Sequence, residues 1–411
     1  MKTRLLILIL AVLFPGMTMT AQTIISGQVS DQQTGQPLPH VSIMAEGSDV
    51  RTVTNDDGRF TLKTVQRPQY VQLSHIGYKT RRFRIEEGST DNLHIRMQGS
   101  SVVLSEIVVS VNDPEDILKA AIQRIEKNYP MEPELARCFY RETAQRGSRF
   151  ISVAEAVTDM YKSDYLKGPG YDRVAILKGR RLMSMRSKDT LGVKIQGGPV
   201  LPLMVDVAKN CDYLLNSENL SHYQLHMELP VHINDRAQYV VRMEPVGTLL
   251  SPLMKGLVYI DQQTLAITRA ELELDMRDWR IAADYMLVSK PMGLRFHPRE
   301  LSVTVVYDTD EAGVTRMSYL RNVMRFNCDW KRRLFASTYT TVSEMVVTER
   351  MQHGRGVKKP LGRSSFGIKE RFYDKVEYFE DELFWADYNI IEPSESLEHA
   401  VGKLKKQSRM Q

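Results

Sequence analysis

His297-Pro298-Arg299-Glu300 is the segment of this 411-residue chain that comes nearest to reactive chemistry. An imidazole and a carboxylate at that spacing can supply two ligands to zinc. A hydrolytic site would also need a third ligand, an open position for water and a base. His353 and His399 lie downstream, neither in a ligand-like context. Pro298, between short apolar runs, predicts a turn rather than a metal-binding element. There is no Gly-x-Ser-x-Gly, and no serine or cysteine stands in a recognisable nucleophile setting. Asp113, Glu115 and Asp116 are an acidic cluster, but helix-start chemistry accounts for all three. The sequence predicts no catalytic, cofactor-binding or metal-ligating residue, and no cofactor.

Other groupings invite binding rather than catalysis. Arg350, Arg355, Lys358, Lys359, Arg363, Lys369 and Arg371 crowd the Gly-rich stretch 354–367, which reads as a solvated loop, with anionic lipid as the alternative contact. Met183, Met185, Met204, Met227, Met243, Met254, Met276 and Met286 all fall in the stretch after residue 131. Methionine fills irregular cores and also lines adaptable apolar grooves. Cys138, Cys211 and Cys328 are the only thiols, an odd number without metal or redox spacing, and they read as buried core residues.

The elements that would position these groups begin with a leader. Lys2 and Arg4 precede the apolar run Leu5–Phe14, followed by small residues up to Ala21. This describes a secretory signal peptide; ten helical residues rise only ~15 Å, too short for a membrane span. No later stretch is long and apolar enough to cross as a helix. Apolar residues make up 42% and charged residues 26%, which excludes a wholly disordered chain. The net charge of +5 is too weak a bias to imply nucleic acid.

From about 23 to 98, short β-rich runs are split by turn residues. The turns include Asp31-Gln-Gln-Thr-Gly35, Asn55-Asp56-Asp57-Gly58 and Gly77, the pattern of a small antiparallel sandwich. Gly27-x-Val29-x-Asp31, Thr34-Gly35-x-Pro37-Leu38-Pro39-x-Val41-x-Ile43, Thr54-x-Asp56-x-Gly58-x-Phe60 and Ile76-Gly77-Tyr78 closely resemble the carboxypeptidase regulatory-like domain. The resemblance implies a seven-stranded, transthyretin-like β-sandwich acting as a non-catalytic accessory module. Such modules often stand at the front of envelope proteins and TonB-dependent receptors of Gram-negative bacteria. In the carboxypeptidases the accessory domain follows the catalytic domain, whereas here it comes first.

Ser100–Val111 reads as a strand and resembles the segment that follows this module in TonB-dependent receptors. Asp113 and Pro114 then open a helix whose apolar stripe is Ile117, Leu118, Ala121, Ile122 and Ile125, stopped at Tyr129-Pro130. Beyond it the chain alternates like antiparallel strands. Ala270, Leu272, Leu274 and Met276 oppose Glu271, Glu273, Asp275 and Arg277, predicting one buried face and one wet face. Two architectures share this pattern: an open curved sheet and an outer-membrane barrel. Tyr259–Ile267 loosely resembles a hairpin of the periplasmic lipoprotein-carrier proteins. The ending, Glu392-Pro393 and a basic helical tail, is a poor closing strand and favours the open sheet. A helix of ~22 Å cannot cover about eight strands spaced ~4.8 Å apart, so another cover is expected: a loop, a partner or a lipid.

The expectation is therefore a mostly β chain with minor α. It comprises signal peptide 1–21, sandwich 23–98, linker strand and helix 99–130, a large curved antiparallel half-barrel sheet 131–395, and a basic helical tail 396–411. The expected function is non-enzymatic: binding or assembly at the periplasmic face of the outer membrane, with an apolar ligand and an outer-membrane protein or lipid as partner. The alternatives are an accessory component of a TonB-dependent transport system, from the resemblance of residues 24–111, and a zinc carboxypeptidase-type metallopeptidase, from His297 and Glu300.

Overall fold

The computed structural model describes residues 22–88, 90–100, 113–186, 193–210, 219–247, 253–330, 336–361, 365–367, 370, 372–378, 385 and 387–409. The leader, most of the expected strand Ser100–Val111, and Cys211, Arg363, Lys369 and Arg371 lie outside these residues.

Seven short strands form the first unit: β1 (Thr23–Asp31), β2 (Ser42–Ala45), β3 (Arg51–Val53), β4 (Arg59–Thr64), β5 (Tyr70–Ser74), β6 (Arg81–Arg84) and β7 (Leu93–Met97). They pair in the orders β4-β1-β7 and β3-β2-β5-β6. Ile25, Val29, Ile43, Phe60, Leu73 and Ile95 close the core between the two sheets. Turn chemistry fixes the corners. Gly58 has φ +71°, and a Cβ there would stand 2.5 Å from the Val29 carbonyl oxygen, so only glycine fits. Asp31 Oδ1 accepts from the Gln33 and Thr34 amides at 2.8 and 2.6 Å. The Thr34 amide, joined by the Tyr78 hydroxyl, holds the Asp31 carboxyl down to about 2. The same tetrapeptide returns at Asp261-Gln262-Gln263-Thr264, where Asp261 Oδ1 accepts from the Gln263 and Thr264 amides at 3.0 and 2.8 Å. One local sequence folds one local turn in two unrelated hairpins.

Helix α1 (Pro114–Gln123) starts where Asp113 Oδ1 accepts from the Glu115 amide at 2.9 Å. A short α2 (Ile125–Asn128) continues it. Then come β8 (Glu134–Arg146), β9 (Arg149–Lys162), β10 (Arg173–Met183), β11 (Lys194–Ile195), α3 (Leu201–Met204), β12 (Tyr223–Ile233), β13 (Arg236–Pro245), β14 (Met254–Asp261) and β15 (Ile267–Leu274). The chain ends with α4 (Trp279–Met286), β16 (Leu287–Ser289), β17 (Leu294–Thr309), β18 (Thr315–Trp330), β19 (Ser337–His353), β20 (Ser365–Phe366), α5 (Phe372–Lys375), β21 (Glu377–Tyr378) and α6 (Glu395–Arg409).

The large sheet runs β12-β13-β14-β15-β17-β18-β19-β8-β9-β10-β20, eleven antiparallel strands with β21 paired beside β10 as a twelfth, where the sequence suggested about eight, and its ends do not meet. It is an open antiparallel sheet, not a barrel. One continuous apolar cluster lies on its inner face, joining the α1 stripe (Ile117, Leu118, Ala121, Ile125) to Tyr140, Ile260, Leu272, Val305 and Phe326. Tyr129 fastens the helix end to the sheet by donating to the Ile267 carbonyl at 2.7 Å. Among the described residues no helix is long and apolar enough to cross a membrane.

Two expectations need correction. The outer face is wet only in part. Around β14 and β15 it carries pairs such as Arg269–Glu271, 2.7 Å apart. Over β8, β9, β18 and β19 it is covered by the sandwich and by residues 385 and 387–393. Val53 packs with Phe139, Val157, Tyr319, Val346, Trp385 and Ile391. Arg51 bridges to Asp308 at 2.6 Å, and Asn389 exchanges two hydrogen bonds with the Lys63 backbone. Charged side chains on that face are used for docking, so the alternating pattern does not mark solvent. The C-terminal helix α6 packs back onto the sheet, with Leu397 and Leu404 buried on Val153 and Leu182.

Second, Pro298 lies within β17, not in a turn. Its missing amide is tolerated because the ladder shifts register between Pro298 and Glu300, where a bulge relieves the need for that donor.

Candidate functional site

A cavity of about 250 Å³ remains between the inner sheet face and the segment that follows β11. The floor is set by register. Leu272 on β15 lies opposite Val303 on β17, and Val303 lies opposite Asn322 on β18. Leu301, Met324 and Met254 extend this floor, and Leu201, Met204, Val205 and Val207 form the roof. Gln196 and Asn210 contribute the remaining amides, and among the described residues no charged side chain lines the space. It exceeds the ~150 Å³ at which an apolar protein cavity admits a benzene-sized guest.

The roof is held from behind by a buried charge cluster. Asp206, fully enclosed between Val205 and Val207, pairs through Oδ2 with the Lys162 ammonium. Its Oδ1 accepts from the Tyr307 hydroxyl at 2.7 Å, while Tyr165 donates to Oδ2 at 3.2 Å. Lys209 donates to Asp172 at 2.6 Å and to the Ser163 carbonyl at 2.8 Å. Burial alone would raise the Asp206 carboxyl, but the Lys162 ammonium overcomes it and keeps the pKa below the ordinary value. Burial lowers Lys209, with Lys162 adding to the effect and Asp172 opposing it. Two cations and two anions thus close on each other out of water, the condition under which buried ions are tolerated.

Asn322 breaks the apolar floor. The inner face of β18 otherwise presents Leu320, Met324 and Phe326, all buried in the core. The Asn322 side chain is 2% exposed, and among the described residues its Oδ1 has no hydrogen-bond partner. Register continues the row from Asn322 to Ser343 on β19 and Glu142 on β8. The Glu142 carboxylate accepts from the Tyr140 hydroxyl at 2.9 Å and the Gly198 amide at 3.1 Å, and burial raises its pKa. A polar strip therefore flanks an otherwise greasy space. The sequence reading passed over Asn322, although a lone amide on an apolar alternation was a visible signal.

The residues singled out from sequence fall elsewhere. The His297 ring lies tilted against that of Trp279, centroids 5.0 Å apart, and Glu300 pairs with Arg325 at 3.1 Å. His353 is exposed at the end of β19, and His399 is exposed on α6. Among the described residues no three His, Cys, Asp or Glu side chains are grouped to hold a metal. The expected result for His297→Ala and Glu300→Ala is an unchanged metal content by elemental analysis and a stability loss within about 1 kcal/mol, since the ion pair is half-exposed. One zinc per wild-type chain, lost in the variants, would contradict this.

Arg350 belongs to β19 rather than to a mobile basic loop. Burial, with the nearby Arg51, brings its guanidinium down to about 10. The Lys359 ammonium lies over the rings of Tyr161 and Tyr171 at 5.4 and 5.6 Å. These two cations thus serve internal contacts. Of the methionines, Met204 and Met254 line the cavity, Met243 and Met286 are core, and Met183, Met185 and Met227 are exposed. Cys138 and Cys328 are buried free thiols that burial pushes up to about 12.

Fold and site define an open antiparallel sheet with a mainly apolar cavity on its inner face, lined by no charged side chain among the described residues, and carrying a β-sandwich on its outer face. Residues 25–109 match the family model of the CarboxypepD_reg-like domain, so that sandwich is a domain of this kind. No curated protein matches the chain. Among solved structures, a DUF1329 family protein from Desulfovibrio piger ATCC 29098 shares 9% identity, covering 60% of this chain and 96% of that one, with a TM-score of 0.25. A structure of lipid–protein interactions in lipovitellin shares 7% identity over 62% of this chain and 28% of that one, with a TM-score of 0.24. Superpositions this loose carry no functional argument.

Proposed function

We propose that the chain is a non-enzymatic binding protein of the cell envelope that holds a small apolar molecule between its sheet and the 201–207 roof. The carrying observation is the cavity itself: about 250 Å³, walled mainly by aliphatic and methionine side chains with Tyr285 and three amides, and without a charged side chain among the described residues. Apolar surface kept open in this way costs stability unless something fills it, and methionine at the floor and rim suits guests of varied shape. Export to the envelope draws on the leader-type sequence of residues 1–21. The regulatory-like sandwich, fastened by Arg51 and Asn389, supplies a second surface for docking to an outer-membrane partner.

A neutral fluorescent probe, N-phenylnaphthylamine, tests the reading. The purified protein is expected to bind it with enhanced emission. Val303→Phe, which fills the floor, and Met204→Trp, which blocks the half-exposed rim, are each expected to weaken binding by about tenfold or more. Met204→Trp alters a partly solvated side chain, so its folding should be little changed. Absence of binding by the wild type, or equal binding by both variants, would refute the proposal.

A further inference from the structure

Resting on the cavity reading above, we infer that the guest is an uncharged amphiphile whose hydroxyl group hydrogen-bonds the Asn322 side chain. Three observations converge. Asn322 is buried, borders the cavity and has an unpaired Oδ1. A buried amide oxygen without a donor is costly, and proteins satisfy nearly all such atoms with protein, water or ligand. The terminal torsion of an asparagine is soft, so the amide can turn its oxygen toward the cavity. The polar row Asn322, Ser343, Glu142 is also rich in acceptors, matching a group that donates.

Charge separates the candidate head groups. A carboxylate would enter a space that no cation lines among the described residues, and its nearest ionisable neighbour along the row is Glu142, itself acidic. Burying an unpaired ion costs far more than burying a hydroxyl. An ammonium would meet Glu142 more favourably, but that carboxyl is already engaged by Tyr140 and Gly198. A pure hydrocarbon fits the walls and leaves Asn322 unpaired. A hydroxyl-bearing apolar chain satisfies both walls and amide.

Calorimetric titration of the purified protein with decanol, decane, decanoate and decylamine tests the assignment against Asn322→Leu, a near-isosteric change. Decanol is expected to bind tightest to the wild type. In Asn322→Leu it should weaken about tenfold, one good hydrogen bond's worth, while decane is unchanged or tighter. The unliganded variant should melt about 2–4 °C higher, because an unpaired buried amide has been removed. A lower melting temperature with decanol binding unchanged would make Asn322 a structural amide and overturn the inference. So would tighter binding of decanoate or decylamine, or equal affinity for decanol and decane. If none of the four binds while N-phenylnaphthylamine does, the head-group assignment fails and the cavity reading stands. If the probe fails as well, the cavity reading falls with it.

Discussion

Asp206→Ala is expected to lower folding stability by about 3–5 kcal/mol and to weaken ligand binding, because it removes the anion that closes the roof from behind. The size follows from what is left behind. Lys162 is 6% exposed and would lose its direct carboxylate partner, and the Tyr307 and Tyr165 hydroxyls would lose an acceptor. The backbone around Lys209 and Asn210, which bonds back to Asp206, would loosen as well. Because Val205 and Val207 flank Asp206 on the roof, slack there reaches the cavity directly. Denaturant unfolding checks the first part and probe titration the second. The double variant Asp206→Leu with Lys162→Met should recover much of the loss, since two matched apolar groups carry no desolvation penalty. A single-variant loss within 1 kcal/mol of zero would show that the cluster does not hold the roof.

Glu155→Leu should cost a comparable amount, about 3–5 kcal/mol, on the opposite face. The Glu155 carboxylate is 4% exposed and takes Arg141 at 2.8 Å and Arg180 at 2.6 Å. Arg141 in turn donates to the Ile391 carbonyl at 2.6 Å, and Trp385 donates to Glu155 at 3.3 Å. Without the carboxylate, two guanidinium groups face each other under the segment that also holds the sandwich through Lys63 and Asn389. The segment should lift, and chymotrypsin should cut near Trp385 and Tyr388 faster than in the wild type. Burial pushes Glu155 up, but Arg141 and Arg180 bring it below the ordinary value. The ionised form is the folded one, so this stabilisation is present above the usual carboxylate pKa and is lost as pH falls through the depressed one. Equal stability and equal cleavage would mean that the segment is held by apolar contacts alone.

Local chemistry made much of the fold legible. Asp57-Gly58, the two Asp-Gln-Gln-Thr turns and the Asp113-Pro114 helix start each depend on neighbours within a few residues. The domain resemblance of the first unit rests on the same glycines and aspartates. Long-range pairing was hidden. Arg141 and Glu155 occupy alternating positions that read as solvent-facing, yet they neutralise each other 14 residues apart beneath a segment some 250 residues further on. Pro298 suggested a break because a proline cannot donate, whereas a bulge lets β17 pass through it. Asn322 left only a small trace, one amide in the Leu320–Phe326 alternation; its importance appears only when Leu272 and Val303 come alongside.

The most direct test of the central claim is mass spectrometry of an organic extract from the protein purified without detergent. A stoichiometric, uncharged, hydroxyl-bearing apolar compound, absent from Met204→Trp, is the predicted result. A clean extract, with a crystal structure showing the cavity filled by ordered water bonded to Asn322, would contradict the account.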